Sequence, residues 1–156
     1  MKLGFSIRGF VIFLIPMLIN IVYFLLPPVN ERKQGGAGVS GNQILTMIEQ
    51  GSRIAYATAI CLLVSKKKID VKSPFLYIAI LFLILYYIVW IRYFIGGRNI
   101  KLLGSSFLFI PMPLAIFPVI YFLFAALWLH NYYAFGFMIL FGIAHNIISY
   151  QTLYYK

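Results

Sequence analysis

The sequence predicts an all-α integral membrane protein, a single transmembrane domain over residues 1–156. About five helices form a bundle, the fourth kinked or broken by prolines. Three observations carry this expectation. The chain is 63% hydrophobic and 10% charged, whereas an ordinary soluble domain carries about 25% charged residues. With 156 residues it cannot hide that much apolar surface from water, so lipid must be part of its solvent. Its basic residues stand at the ends of apolar runs, where flanking charges meet lipid headgroups.

The net charge of +10 raises the question of nucleic acid. Basic residues that serve nucleic acid cluster on one face of a polar domain. Here Lys2 and Arg8, Arg32 and Lys33, Lys66, Lys67, Lys68 and Lys72, Arg98 and Lys101, and Lys156 punctuate apolar segments instead. Nucleic acid is therefore excluded as a partner, and the lipid bilayer is expected. Cys61 is the only cysteine, so no intramolecular disulfide can form.

The first span, residues 10–26, follows Lys2 and Arg8 as a signal peptide would. It is longer than a signal h-region, and Pro27 and Pro28 stand where a small-residue cleavage site would be. A retained helix is expected, bent at Pro16. Residues 27–42 read as a polar, glycine-rich loop.

The second span is the unusual one. Ile54 to Ser65, between Arg53 and Lys66, would rise only about 18 Å, well short of a hydrocarbon core of roughly 30 Å. A crossing helix must then run over 43–65, which draws Glu49 and Arg53 below the interface. The alternative is a helix lying along the surface.

The third span, 75–94, is uniformly apolar until Trp90, Arg92 and Tyr93, and Arg92 is expected to snorkel to the interface. The fourth, 102–129, contains Pro111, Pro113 and Pro118, which remove backbone donors. It reads either as one kinked helix or as a half-helix, a break and a span. The fifth, 132–150, has Trp128, Tyr132 and Tyr133 at one end and Tyr150, Tyr154 and Tyr155 at the other, the pattern of aromatic belts. Lys66 to Lys72 place the loop at 66–72 and the N-terminus on the cytoplasmic side.

Few residues can carry chemistry. Glu49 and Arg53 are four apart, so on a helix they share a face and can pair; Tyr56 extends that face. In the last span Gly142, His145, Asn146 and Ser149 fall on one side, and Asn20 is a similar polar position in the first. The candidate ligand-binding residues are Glu49, Arg53, Tyr56, His145 and Asn146. The bland reading of the same residues is a self-neutralising pair and a polar stripe that hold helices together.

No catalytic, metal or cofactor site is expected. Glu31 and Asp70 lie in loops, which leaves Glu49 as the single intramembrane acid, and a structural zinc needs about four Cys or His ligands, against one Cys and two His. The tryptophan-rich signature of the translocator-protein family is absent, since the chain has two Trp.

Two fragments resemble known families. Gly38–Val39–Ser40–Gly41 resembles the Gly-x-Ser-Gly of rhomboid intramembrane proteases, which implies Ser40 as nucleophile and His145 as base; those enzymes have a six-helix core, however. Glu49 followed by Arg53, and Phe141 followed by His145 as Phe-x-x-x-His, resemble motifs of the CAAX-processing membrane metalloproteases. Ile48 stands where that family has another glutamate, and no second motif histidine follows His145, so no catalytic role is carried over.

The expected function is binding or transport of a hydrophobic or amphipathic small molecule, anions included, at an intramembrane polar site. A transporter with five spans would need to form a homodimer. The alternatives are an accessory or scaffold subunit of a membrane complex and, last, an intramembrane enzyme of protease type using His145 or Glu49.

Overall fold

A computed structural model describes residues 1–29, 42–99 and 101–154. The architecture is all-helical, at 73% helix. In chain order the helices are α1 (Ile7–Leu25), α2 (Gln43–Leu62), α3 (Pro74–Ile95), α4 (Lys101–Gly104), α5 (Pro113–Trp128) and α6 (Tyr132–Tyr154). Among the described residues three helices are long and apolar enough to cross a membrane: α1, α3 and the Tyr132–Thr152 part of α6. The α5 helix is equally apolar but has 16 residues, and α2 has 20 residues with a mixed polar and apolar sequence.

Helix starts follow local chemistry. The Ser6 side chain accepts from the Gly9 amide and opens α1, as N-cap serines do. Asn42 accepts from Ile44 and opens α2. Pro74 and Pro113 sit in the first turns of α3 and α5, where a missing N–H costs nothing. Asn131 opens α6 through the Ala134 amide, and its amide nitrogen also donates to the carbonyls of Ala59, at 2.8 Å, and Leu63, at 3.0 Å. One buried side chain thus starts α6 and satisfies the end of α2.

The second helix stops at Leu62, three residues before the expected end at 65. Leu63–Val64 instead forms a short antiparallel ladder with Lys2–Leu3, pairing Lys2 with Val64 and Leu3 with Leu63. The expected loop at 27–42, apart from residues 27–29 and 42, lies outside the described residues, and so does Ser40.

Residues 102–129 do not form one helix. After α4 the chain turns back at Phe107–Ile110, where Leu108 and Phe109 have φ of 49° and 63°, left-handed values that cost a side-chain-bearing residue roughly 1–2 kcal/mol. Arg92, in the last turn of α3, turns onto the chain that follows the helix. Its guanidinium donates to the carbonyls of Leu102, Ser105 and Ser106 and to Ser105 Oγ, and lies 5.4 Å from the Phe107 ring centre. The arginine satisfies carbonyls that the broken helix leaves without helical donors.

The α5 helix is the centre of the packing, lying against α3 on one side and α6 on the other, with α2 beyond α6 and α1 across α2. Phe117, Val119, Tyr121, Phe122, Ala125 and Ala126 are buried along it. Gly9 and Gly142 are placed at close approaches between helices. A Cβ on Gly9 would lie 1.9 Å from the Ile60 carbonyl oxygen, and one on Gly142 would lie 2.6 Å from Val119 Cγ1.

Candidate functional site

Along α2 the buried residues are Glu49, Ser52, Tyr56, Ala59 and Ile60, a stripe at helical spacing that faces α6. Glu49 lies on that stripe and is 8% exposed. Arg53 is four positions on, so it is turned by about 40°, enough to leave it at the exposed edge. Its guanidinium donates to Gln50 Oε1 instead of the carboxylate. The expected Glu49–Arg53 pair is thereby corrected, because α6 brings a nearer partner to the carboxylate.

That partner is His145. Its Nδ1 stands 2.7 Å from Glu49 Oε1, the one ion-pair contact among the described residues. A carboxyl and an imidazole at this distance share one proton, whichever atom holds it. The Phe141 ring stacks on the imidazole, centres 4.9 Å apart and planes 14° apart, which fixes the ring's orientation. Gly142, one helical turn before His145, lets α6 sit close enough to α5 for this register.

His145 stands between two cavities, and Glu49 lines one of them. An outer one, about 330 Å³, is lined by Glu49, Met112, His145, Ser149 and Thr152 among others. These come from the N-terminal part of α2, the C-terminal part of α6 and the start of α5, so this cavity lies toward one end of the bundle. An inner one, about 280 Å³, lies in the middle and is lined by Asn20, Arg53, Tyr56, Tyr86, Trp90, Phe122 and His145 with further apolar residues. His145 and Leu114 line both. Pro118 has no N–H to give the Leu114 carbonyl four residues earlier, so the shared wall also carries a backbone acceptor without its usual helical donor.

The inner cavity is mostly aromatic with a few placed polar groups. Tyr86 Oη donates to Asn20 Oδ1 at 2.9 Å, and Tyr56, 1% exposed, packs beside Phe122 with ring centres 5.1 Å apart. Arg53 is the one arginine or lysine among the described residues of its wall.

Of the five residues singled out by sequence, the structure joins Glu49 to His145 and arranges Arg53, Tyr56 and His145 around the inner cavity. Asn146 lines neither cavity: its Nδ2 donates to the Gly142 carbonyl of its own helix at 2.7 Å. Tyr86, Trp90 and Thr152 were missed. Thr152 carried a weak signal, seven residues from His145 on the same helical face; the two aromatics are indistinguishable in sequence from lipid-facing or core rings. No group of three or more His, Cys, Asp or Glu side chains comes together among the described residues. No protein-family model, curated protein or solved structure matches this chain.

Proposed function

We propose that the chain is a five-pass membrane protein that binds a small amphipathic anion in the inner cavity and passes it through the Glu49–His145 pair. In this reading α2 and α5 complete the crossings with α1, α3 and α6. A bilayer thinned around α5, whose 16 residues rise about 24 Å, accommodates its length.

The observation that carries the proposal is the position of His145 in the wall between the two cavities. An aromatic chamber with few convergent polar groups is the usual form of a small-molecule site. Arg53 supplies a planar donor suited to carboxylate or phosphate. At about 280 Å³ the chamber sits at the low end of ligand cavities, roughly 300–1,000 Å³, so the ligand is a compact aromatic or short-chain acid. The outer cavity, with Ser149 and Thr152, is its vestibule. Separating Glu49 from His145 would join the two volumes, and a ligand head presented to the imidazole competes for the proton they share.

A direct test uses 1-naphthoate as a probe, read by quenching of Trp90 fluorescence in a Trp128→Phe background. Hydrogen bonds to a charged group contribute about 1.5–3 kcal/mol, so Arg53→Gln should weaken naphthoate by about tenfold or more. The neutral 1-naphthalenemethanol should bind both proteins equally. Equal naphthoate binding by wild type and variant would exclude Arg53 as the head-group partner.

A further inference from the structure

A separate groove lies on the far side of α5. The α1 and α3 helices meet only lightly, and between them, floored by α5, runs an apolar furrow of about 310 Å³. Its length is set by the residues that line it: Arg8 to Ile15 on α1, Leu76 to Leu83 on α3, and Trp128 back to Tyr121 on α5. Each stretch covers about 10 Å of helical rise, and all three start at the same end of the bundle. Ala79 and Ala125, both buried, keep the floor low. At the deep end the Tyr121 hydroxyl is turned to the Ile12 carbonyl, 2.9 Å away, so it presents no free donor to the groove.

The mouth is different. Arg8 lines it, is exposed, and has no hydrogen bond or ion pair among the described residues. Trp128 stands opposite, its indole Nε1 donating to the Asp70 carbonyl at 2.8 Å. That bond ties the mouth to the loop carrying Lys66, Lys67, Lys68 and Lys72, and the Lys2–Val64 pairing brings Lys2 to the same end. Asp70 is the one acidic residue described there. A hydrocarbon furrow beginning at an unpaired arginine, a tryptophan and a basic loop matches the order of groups in a lipid, chain below and phosphate above.

We propose that this groove is a binding site for one anionic phospholipid, with an acyl chain between α1 and α3 and the phosphate at Arg8. The proposal requires α1 and α3 to lie in the bilayer, but it does not require the aromatic chamber to be occupied.

The test is native mass spectrometry of the full chain in detergent, with phosphatidylglycerol, phosphatidylcholine or inorganic phosphate added. The variants are Arg8→Gln, Arg8→Lys and Ile80→Trp, whose bulk fills the half-exposed wall of the furrow. Wild type should retain one phosphatidylglycerol per chain in preference to phosphatidylcholine. Retention should fall about fivefold in Arg8→Gln, recover in Arg8→Lys, and fall in Ile80→Trp while circular dichroism shows each variant folded. Equal retention of the two lipids, unchanged retention in both Arg8→Gln and Ile80→Trp, or displacement of the lipid by inorganic phosphate would overturn the proposal.

Discussion

The Tyr121 hydroxyl donates at 2.9 Å to the carbonyl of Ile12, the acceptor that Pro16 leaves without its helical donor. Nearby, Tyr87 Oη donates to the Ile15 carbonyl at 2.6 Å. The acceptor freed by Pro16 inside α1 is thus answered by Tyr121 from α5, and together with Tyr87 from α3 this fastens a lightly packed helix to the bundle. Tyr121→Phe should cost about 1 kcal/mol, the usual contribution of one hydrogen bond. In a Pro16→Ala background the backbone amide restored at that position can bond the Ile12 carbonyl, so the same change should cost less. Thermal unfolding of the four proteins in detergent gives the coupling; equal costs in both backgrounds would show that the bond does not compensate the proline.

Gly9 and Gly51 should respond oppositely to alanine. A Cβ at Gly9 meets the Ile60 backbone 1.9 Å away, whereas one at Gly51 meets nothing within 4 Å. Backbone cannot move aside cheaply, so Gly9→Ala should destabilise by roughly 1–3 kcal/mol. Gly51→Ala should stabilise by about 0.5–1 kcal/mol through helix propensity alone. Midpoint temperatures of the two variants check both signs at once.

Asn131 performs two separable tasks. Asn131→Asp keeps an acceptor for the Ala134 amide but loses the donors to Ala59 and Leu63. Asn131→Leu loses all three bonds. Each cap or buried bond contributes about 1 kcal/mol, but aspartate would also turn a buried carboxylate onto the Ala59 and Leu63 carbonyl oxygens, so the aspartate variant should have the lower unfolding temperature of the two. If the aspartate variant unfolds at the wild-type temperature, the contacts to α2 contribute nothing.

The Glu49–His145 pair should show strong non-additivity. Glu49→Leu or His145→Phe alone strands the other partner in a largely apolar wall, at about 1–3 kcal/mol. Replacing both removes the need for either, and the double variant should be at least as stable as the worse single one. Thermal unfolding of the cycle measures this; simple addition of the two costs would mean the pair does not act as a unit.

Much of the architecture was legible because apolar runs and proline positions report directly on local backbone. The starts of α2 and α6 at Gln43 and Tyr132 agree with the expected spans, and the prolines at 111 and 113 marked a real discontinuity, whereas Pro118 lies inside α5. The choice between a kink and a break was not legible. It depends on Arg92 reaching carbonyls at Leu102, Ser105 and Ser106, and no local pattern encodes that. The site was half legible for the same reason. The spacing of Glu49 and Arg53 correctly placed them one turn apart, but which one faces inward is decided by α6. An i, i+4 pair is worth only about 0.2–0.5 kcal/mol, too little to compete with a half-buried histidine 2.7 Å from the carboxylate. Asn131 carried a readable signal, an Asn directly before an apolar helix, yet its grip on α2 is a tertiary contact.

The central claim is that an amphipathic anion occupies the aromatic chamber with its charged end at Arg53. The most direct measurement is mass spectrometry of small molecules that co-purify with wild type and with a folded Arg53→Gln, Glu49→Gln double variant. The expected result is a compact anionic amphiphile enriched on the wild type and lost from the variant. Identical profiles on the two folded proteins would contradict the claim and leave Glu49, Arg53 and His145 as a device for holding α2 and α6 together.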